Sequence, residues 1–135
     1  MKLTLVFLAI LPISSAVSAQ YKFEKNGIII STNPHENKEK GSVDFGLVFE
    51  IMRLENTSSK KRTVSFHADL YYDGVCANCR NKEYQFTFVL GPGEIIKGNI
   101  LDKASSGLKY FKEDKNKRLQ GVMTDLQLSS FTVEE

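Results

Sequence analysis

Residues 43–51 read Val43-Asp44-Phe45-Gly46-Leu47-Val48-Phe49-Glu50-Ile51, with Val43, Phe45, Leu47, Phe49 and Ile51 on every second position and Asp44, Gly46 and Glu50 on the other face. Successive side chains on a strand point to opposite faces, so a period of two predicts a half-buried β-strand. The same alternation recurs on either side. Val64, Phe66, Ala68, Leu70 and Tyr72 carry it beyond a polar connection over 55–62. Tyr84, Phe86, Phe88 and Leu90 form the next set, stopped by Gly91-Pro92-Gly93, whose proline cannot continue a central strand and which reads as a hairpin turn. Toward the N-terminus, Tyr21 and Phe23 are separated from Ile28-Ile29-Ile30 by Lys25-Asn26-Gly27, and Asn-Gly between apolar runs predicts a tight two-residue turn.

Residues 31–41 are polar and read as a loop. Ile96, Gly98 and Ile100 predict a further strand, Leu108 and Tyr110 another, and Leu126, Leu128, Phe131 and Val133 a last one. The slip in parity between Leu128 and Phe131 predicts a bulge. No window has the period of a long amphipathic helix; residues 119–123 allow one short turn. About seven short strands with turn signals between them predict an all-β fold, an antiparallel β-sandwich. The pattern resembles immunoglobulin-like and fibronectin-type domains over essentially all of residues 20–135. It departs from the antibody type, having no Trp and no Cys pair spaced to bridge two sheets. The resemblance is to an architecture, and an architecture does not define a function.

Residues 1–19 have the parts of a secretory signal: Lys2, an apolar run from Leu3 to Leu11, and Val17-Ser18-Ala19 as a small-residue cleavage site. The run is shorter than the ~20 residues that span a bilayer. A two-residue n-region with Gln20 opening the mature chain resembles small exported proteins of the Bacteroidota. Removal of 19 residues from 135 leaves 116, one domain. Of 18 basic and 16 acidic residues only Lys2 leaves, so the mature chain carries a net charge of +1. That balance gives no footing for non-specific nucleic-acid binding. No second stretch has membrane length. The expected location is the periplasm or the medium outside the cell.

Cys76 and Cys79 are the only cysteines. In an oxidising compartment such a pair is more often a closed disulfide than a redox or zinc centre. Four residues in a turn bring their first and last Cα atoms within ~7 Å, which a disulfide can span. Closing so small a loop is worth at most about 2 kcal/mol. A redox role needs a thiolate at a helix N-terminus, and a strand follows here. Zinc needs two further ligands, and His35 and His67 are far apart in sequence. The three readings are a structural clamp, a redox pair and a metal or intermolecular site, and the clamp fits its neighbours best. No cofactor is expected.

Ser65, His67 and Asp69 contain the residue types of a hydrolytic triad, but residues two apart on a strand stand ~6.5–7 Å apart, beyond hydrogen-bond reach. They read as the polar face of their strand. Asn56-Thr57-Ser58 matches a glycosylation acceptor and predicts a surface loop.

If consecutive strands run antiparallel, the loops 31–41, 73–82 and 102–106 share one end, gathering His35, Cys76, Cys79 and Arg80. Loops 55–62, 91–94 and 112–118 share the other. That second end would concentrate Lys60, Lys61, Arg62, Lys112, Lys115, Lys117 and Arg118, offset by Glu55, Glu94, Glu113 and Asp114. Lys60, Lys61, Arg62, Lys115, Lys117 and Arg118 are the candidate binding residues, for a protein or an acidic surface polymer. The expected function is a non-catalytic binding or accessory module acting through loop ends or strand edges. The competing expectation is a folding factor, either a chaperone of exported β-rich chains or a thiol–disulfide partner.

Overall fold

The computed structural model describes residues 21–135, and the leader expected over 1–19 lies outside the described residues. The strands are β1 (Lys22–Lys25), β2 (Ile28–Glu36), β3 (Leu47–Asn56), β4 (Arg62–Tyr72), β5 (Val75–Cys76), β6 (Gln85–Leu90), β7 (Ile95–Lys97), β8 (Lys109–Asp114) and β9 (Met123–Glu134). Two one-turn 3-10 helices, Lys82–Tyr84 and Ala104–Ser106, are the helical elements among the described residues. All pairings are antiparallel and fall into two sheets.

One sheet runs β1-β2-β3, with β7 and β8 sharing the far edge of β3. The other has β4 at its centre, β9 along one edge, and β5 and β6 sharing the other. Ile28, Ile30, Met52 and Leu54 from the first sheet pack with Val64, Phe66, Ala68, Leu70, Leu90 and Leu126 from the second in one buried cluster. Tyr72 of β4 donates its hydroxyl to the Phe111 carbonyl of β8, and burial pushes its pKa up to about 12.

The signals nearest the chain's turns hold. Asn26 and Gly27 both have positive φ, 44° and 81°, and close the β1–β2 hairpin. Ser130, at φ 49°, is the bulge residue of β9: Ser65 faces Thr132 and His67 faces Ser129, so two residues oppose Phe66. A second Asn-Gly-type turn was available in the sequence as Asp73-Gly74, with φ of 51° and 82°, between Tyr72 and Val75.

The opening stretch behaves differently. The strand starts at Leu47; Val43 and Phe45 lie in a turn, closed by Phe45 N–H to Ser42 and Leu47 N–H to Asp44, and are exposed. Gly46 allows the turn with φ 84°, and a Cβ there would meet Asn116 Nδ2 at 2.4 Å. Nor is β3 polar on one face. Leu47, Phe49 and Ile51 form a second buried cluster with Ile100 and Phe111 on the outer side of the sheet. On the core side Glu50 is buried and ion-paired to Lys112 at 2.7 Å. Residues 31–36, expected in a loop, continue β2 in register with β3.

More strands form than the seven or so expected, because two strands are each split in two. β5 and β6 run the same way along one edge of β4, covering Tyr72–Tyr71 and then His67–Arg62, with 77–84 looped out between them. β7 and β8 likewise run together along β3, covering Glu55–Arg53 and then Ile51–Leu47, with 98–108 looped out. Gly91-Pro92-Gly93 is therefore no hairpin: it carries the chain from β6 in one sheet to β7 in the other.

Candidate functional site

The split of β7 from β8 overturns the expected assignment of loops to ends. An excursion without a reversal does not change strand direction, so every later loop lies at the end opposite to the one counted. Leu47 pairs with Asp114, which places 115–122 beside 37–46. Asn56, at the far end of the ten-residue β3, receives Glu94 as an acceptor and so places 91–94 beside 57–61. The two ends are about 30 Å apart. Lys60, Lys61 and Arg62 are thus at one end and Lys115, Lys117 and Arg118 at the other. The expected single basic end does not form. The 98–108 excursion sits at mid-edge of β3, and His35 and the cysteines lie on outer faces of different sheets, so those do not gather either.

Lys60 and Arg62 both contact Glu135 Oε1, at 2.8 and 3.4 Å. The loop behind them is organised by Asn56, which is fully buried: its amide donates to the carbonyls of Lys60, Leu90 and Gly91, and its Oδ1 accepts from Ser58. Asn56 is therefore a structural bolt, not the exposed acceptor its Asn-Thr-Ser context predicts.

At the other end Asp114 plays the same part. Its carboxylate accepts from the N–H groups of Asn116, Arg118 and Leu119 at 2.9, 3.0 and 3.0 Å, and from Arg118 Nε at 3.3 Å. Burial alone would raise its pKa, but the Leu119 and Asn116 N–H groups and the Arg118 guanidinium outweigh burial and hold it below the usual aspartate value. Asn116 Nδ2 and Arg118 Nη2 donate to the Phe45 carbonyl, tying this loop to 37–46. Arg118 is committed to these contacts, and Lys115 is loosely paired with Glu36 at 3.6 Å. Lys117 makes no ion pair among the described residues, and Gly121 and Leu119 continue the exposed surface beside it.

This end also carries apolar side chains that point into solvent: Val43 is 87 % exposed, Leu119 53 % and Val122 45 %. Leu119 lies between two adjoining concavities. One, of about 250 Å³, also takes in Val43 and Leu47, and the other, of about 380 Å³, takes in Lys115, Lys117, Gly121 and Val122. The result is a groove with apolar patches at Val43, Leu47, Leu119 and Val122, where Lys115, Lys117 and Arg118 stand beside Asp44, Glu113 and Asp114 on a loop that Asp114 holds in place.

The cysteine pair is a disulfide with Cα atoms 5.8 Å apart, and its turn carries Asn78 inward. Where β5 leaves β4, Ala77 N–H still donates to the Leu70 carbonyl at 2.9 Å, but no strand lies opposite the Leu70 N–H and the Ala68 carbonyl. Asn78 supplies their partners: Oδ1 accepts from Leu70 N–H and Nδ2 donates to the Ala68 carbonyl, both at 2.8 Å. The side-chain amide takes the place of a missing peptide unit, and the bridge holds the turn that presents it.

His67 and Asp69 do meet, against expectation, with Nδ1 2.5 Å from Oδ1. Strand side chains lean along the strand, and an imidazole and a carboxylate together close the gap between alternate residues. His67 Nε2 lies 2.8 Å from the Asn81 carbonyl, and Ser129 Oγ donates to Asp69 at 3.1 Å. Ser65 is bonded to Thr87 instead. The nitrogen that would serve as a base is occupied by a backbone oxygen and the nearby hydroxyl is bound to the acid. The arrangement pins 77–84 to the outer face of β4. Among the described residues no cluster of three or more His, Cys, Asp or Glu is placed to hold a metal ion, and no helix is long and apolar enough to cross a membrane. The chain matches no protein-family model, no curated protein and no solved structure.

Proposed function

We propose that the protein is an exported, non-catalytic binding module of the immunoglobulin-like β-sandwich kind, acting in the periplasm or outside the cell through the end built from 37–46 and 115–122. The observation that carries this reading is the groove beside Leu119, where exposed apolar side chains and Lys115 and Lys117 share one rigidly supported surface. Solvated lysines and single exposed apolar residues such as Leu101 are ordinary; here Val43 and Leu119 line one concavity and Leu119 and Val122 the next, and grouped exposed apolar side chains mark contact sites. The partner chemistry is an acidic protein segment that inserts an apolar side chain into the groove. A concavity suits an inserted side chain better than a flat polymer or bilayer does. The leader and the bridged cysteines support export. Non-catalytic action is supported by the occupied Nε2 of His67. The thiol–disulfide alternative has less support, since only a one-turn 3-10 helix and a strand follow the pair, with no longer helix whose N-terminus would stabilise a thiolate.

The test uses the protein recovered from its own cells with whatever stays bound at low salt. Lys115→Glu with Lys117→Glu should weaken that association about tenfold or more and flatten its salt dependence. Lys60→Glu with Lys61→Glu, at the opposite end, should leave it unchanged. The reverse pattern would remove this reading.

A further inference from the structure

Each sheet edge among the described residues carries a device against pairing with another chain, with one exception. β1 is short and presents Lys22, Glu24 and Lys25, and the part of β2 that runs past it carries Pro34 and Glu36. β9 is broken by the Ser130 bulge, and Lys25 Nζ donates to its Phe131 carbonyl. β5 and β7 are two and three residues long, and β8 bulges at Lys112 and bears Lys109, Lys112, Glu113 and Asp114. Charges, bulges and brevity are the usual protections of an exposed edge. β6 has none of them. Its sequence is Gln85-Phe86-Thr87-Phe88-Val89-Leu90, six residues without charge, proline, glycine or bulge, and β4 is its only ladder partner. Residues 86–89 make no backbone hydrogen bond to any other described element.

We propose that β6 pairs antiparallel with β6 of a second copy of this chain, joining the two β4-centred sheets into one. An isologous dyad sets each strand against itself, so a charged strand would bring like charges together near the axis. An uncharged one does not, and β6 is the long edge strand that meets this condition. Phe86, Phe88 and Leu90 face the core while Gln85, Thr87 and Val89 face out. For both cores to lie on the same side of the joined sheet, inward residues must oppose inward residues, which puts Thr87 or Phe88 on the dyad. Pairing then covers the partly exposed Phe86 and Phe88 and brings the outward Thr87 and Val89 rows of the two copies together. Because the strands run antiparallel, the two 37–46/115–122 ends point away from each other and stay free. The inference is independent of what those ends bind.

Sedimentation equilibrium of the intact processed protein is the test, with Thr87→Lys/Val89→Lys and Thr87→Glu/Val89→Glu as paired variants. Both positions are exposed, and a thermal melt of each variant confirms folding. The wild-type protein should show a concentration-dependent monomer–dimer equilibrium, each variant alone should lose the dimer, and an equimolar mixture of the two should recover it as a heterodimer. A wild-type monomer at the highest soluble concentration overturns the proposal, as does a dimer that both variants retain. So does a monomer whose β6 edge instead captures an extended peptide.

Discussion

The two excursions that interrupt the sheets solve the same problem in different ways. On β3 the chain leaves at Gly98 and returns at Leu108 with no gap in the ladder: Gly98 N–H donates to the Met52 carbonyl and Met52 N–H to the Leu108 carbonyl, both at 2.8 Å. The loop is pinched out at its neck, so closely that a Cβ on Gly98 would lie 2.4 Å from the Leu108 oxygen. It is then held down by Lys109, whose ammonium donates to the carbonyls of Ile100 and Asp102 and sits 4.1 Å over the Phe49 ring. On β4 the excursion leaves a gap, and a side-chain amide fills it. A lysine can satisfy carbonyls only; an asparagine both donates and accepts, as a peptide unit does. That is why the gap in the ladder falls to Asn78 and the loop cover to Lys109.

Asn78→Ala should separate the two most sharply. It leaves the buried Leu70 N–H and Ala68 carbonyl without partners, at about 3 kcal/mol of stability together, read by urea denaturation. Amide exchange at Leu70 should quicken while that at Met52 does not. Gly98→Ala attacks the other neck and should cost about 2 kcal/mol, with exchange quickening at Met52 instead. Lys109→Met keeps the stem over Phe49 but frees the Ile100 and Asp102 carbonyls. A loss of about 1.5 kcal/mol and new protease cleavage within 99–106 are the expected result.

Cys76→Ser should be milder than Asn78→Ala, because closing a four-residue loop is worth at most about 2 kcal/mol and the amide can still reach β4. If the serine variant is instead the more damaging of the two, the bridge and not the amide holds the excursion. The smallest effect concerns the third loop with a buried Asx anchor. The folded pKa of Asp114 is depressed below the ordinary aspartate value, so its contribution is complete above that value and is lost as pH falls through the folded pKa. The protection of the Leu119 N–H, measured against its intrinsic exchange rate, should therefore fall on acidification below about pH 4, and Asp114→Asn should remove that loss of protection.

The parts of the fold visible in the sequence were those decided locally. Alternation along 62–72 and 85–90, the Asn26-Gly27 turn and the bulge at Ser130 all follow from side-chain period and backbone preference. Hidden were the features decided by distant hydrogen bonds. Nothing local distinguishes an excursion from a hairpin, so period and turn signals alone give β8 the wrong direction and put Lys115, Lys117 and Arg118 at the wrong end. Glu50 looked like a surface residue because its partner, Lys112, comes from a bulge 62 positions away. Asn56 and Asn78 carry no pattern that marks them as buried; their roles exist only once β4 and β6 are in place. Asp73-Gly74 was legible as a turn and would have revealed β5.

The most direct test of the binding surface places a photo-crosslinking residue at Leu119 at one end and at Lys61 at the other, in the cells that make the protein. Crosslinks should form at Leu119, fall with Lys115→Glu/Lys117→Glu, and be absent at Lys61. Crosslinks of equal yield at both positions, or at Lys61 alone, would contradict the assignment of the 37–46/115–122 end as the contact surface.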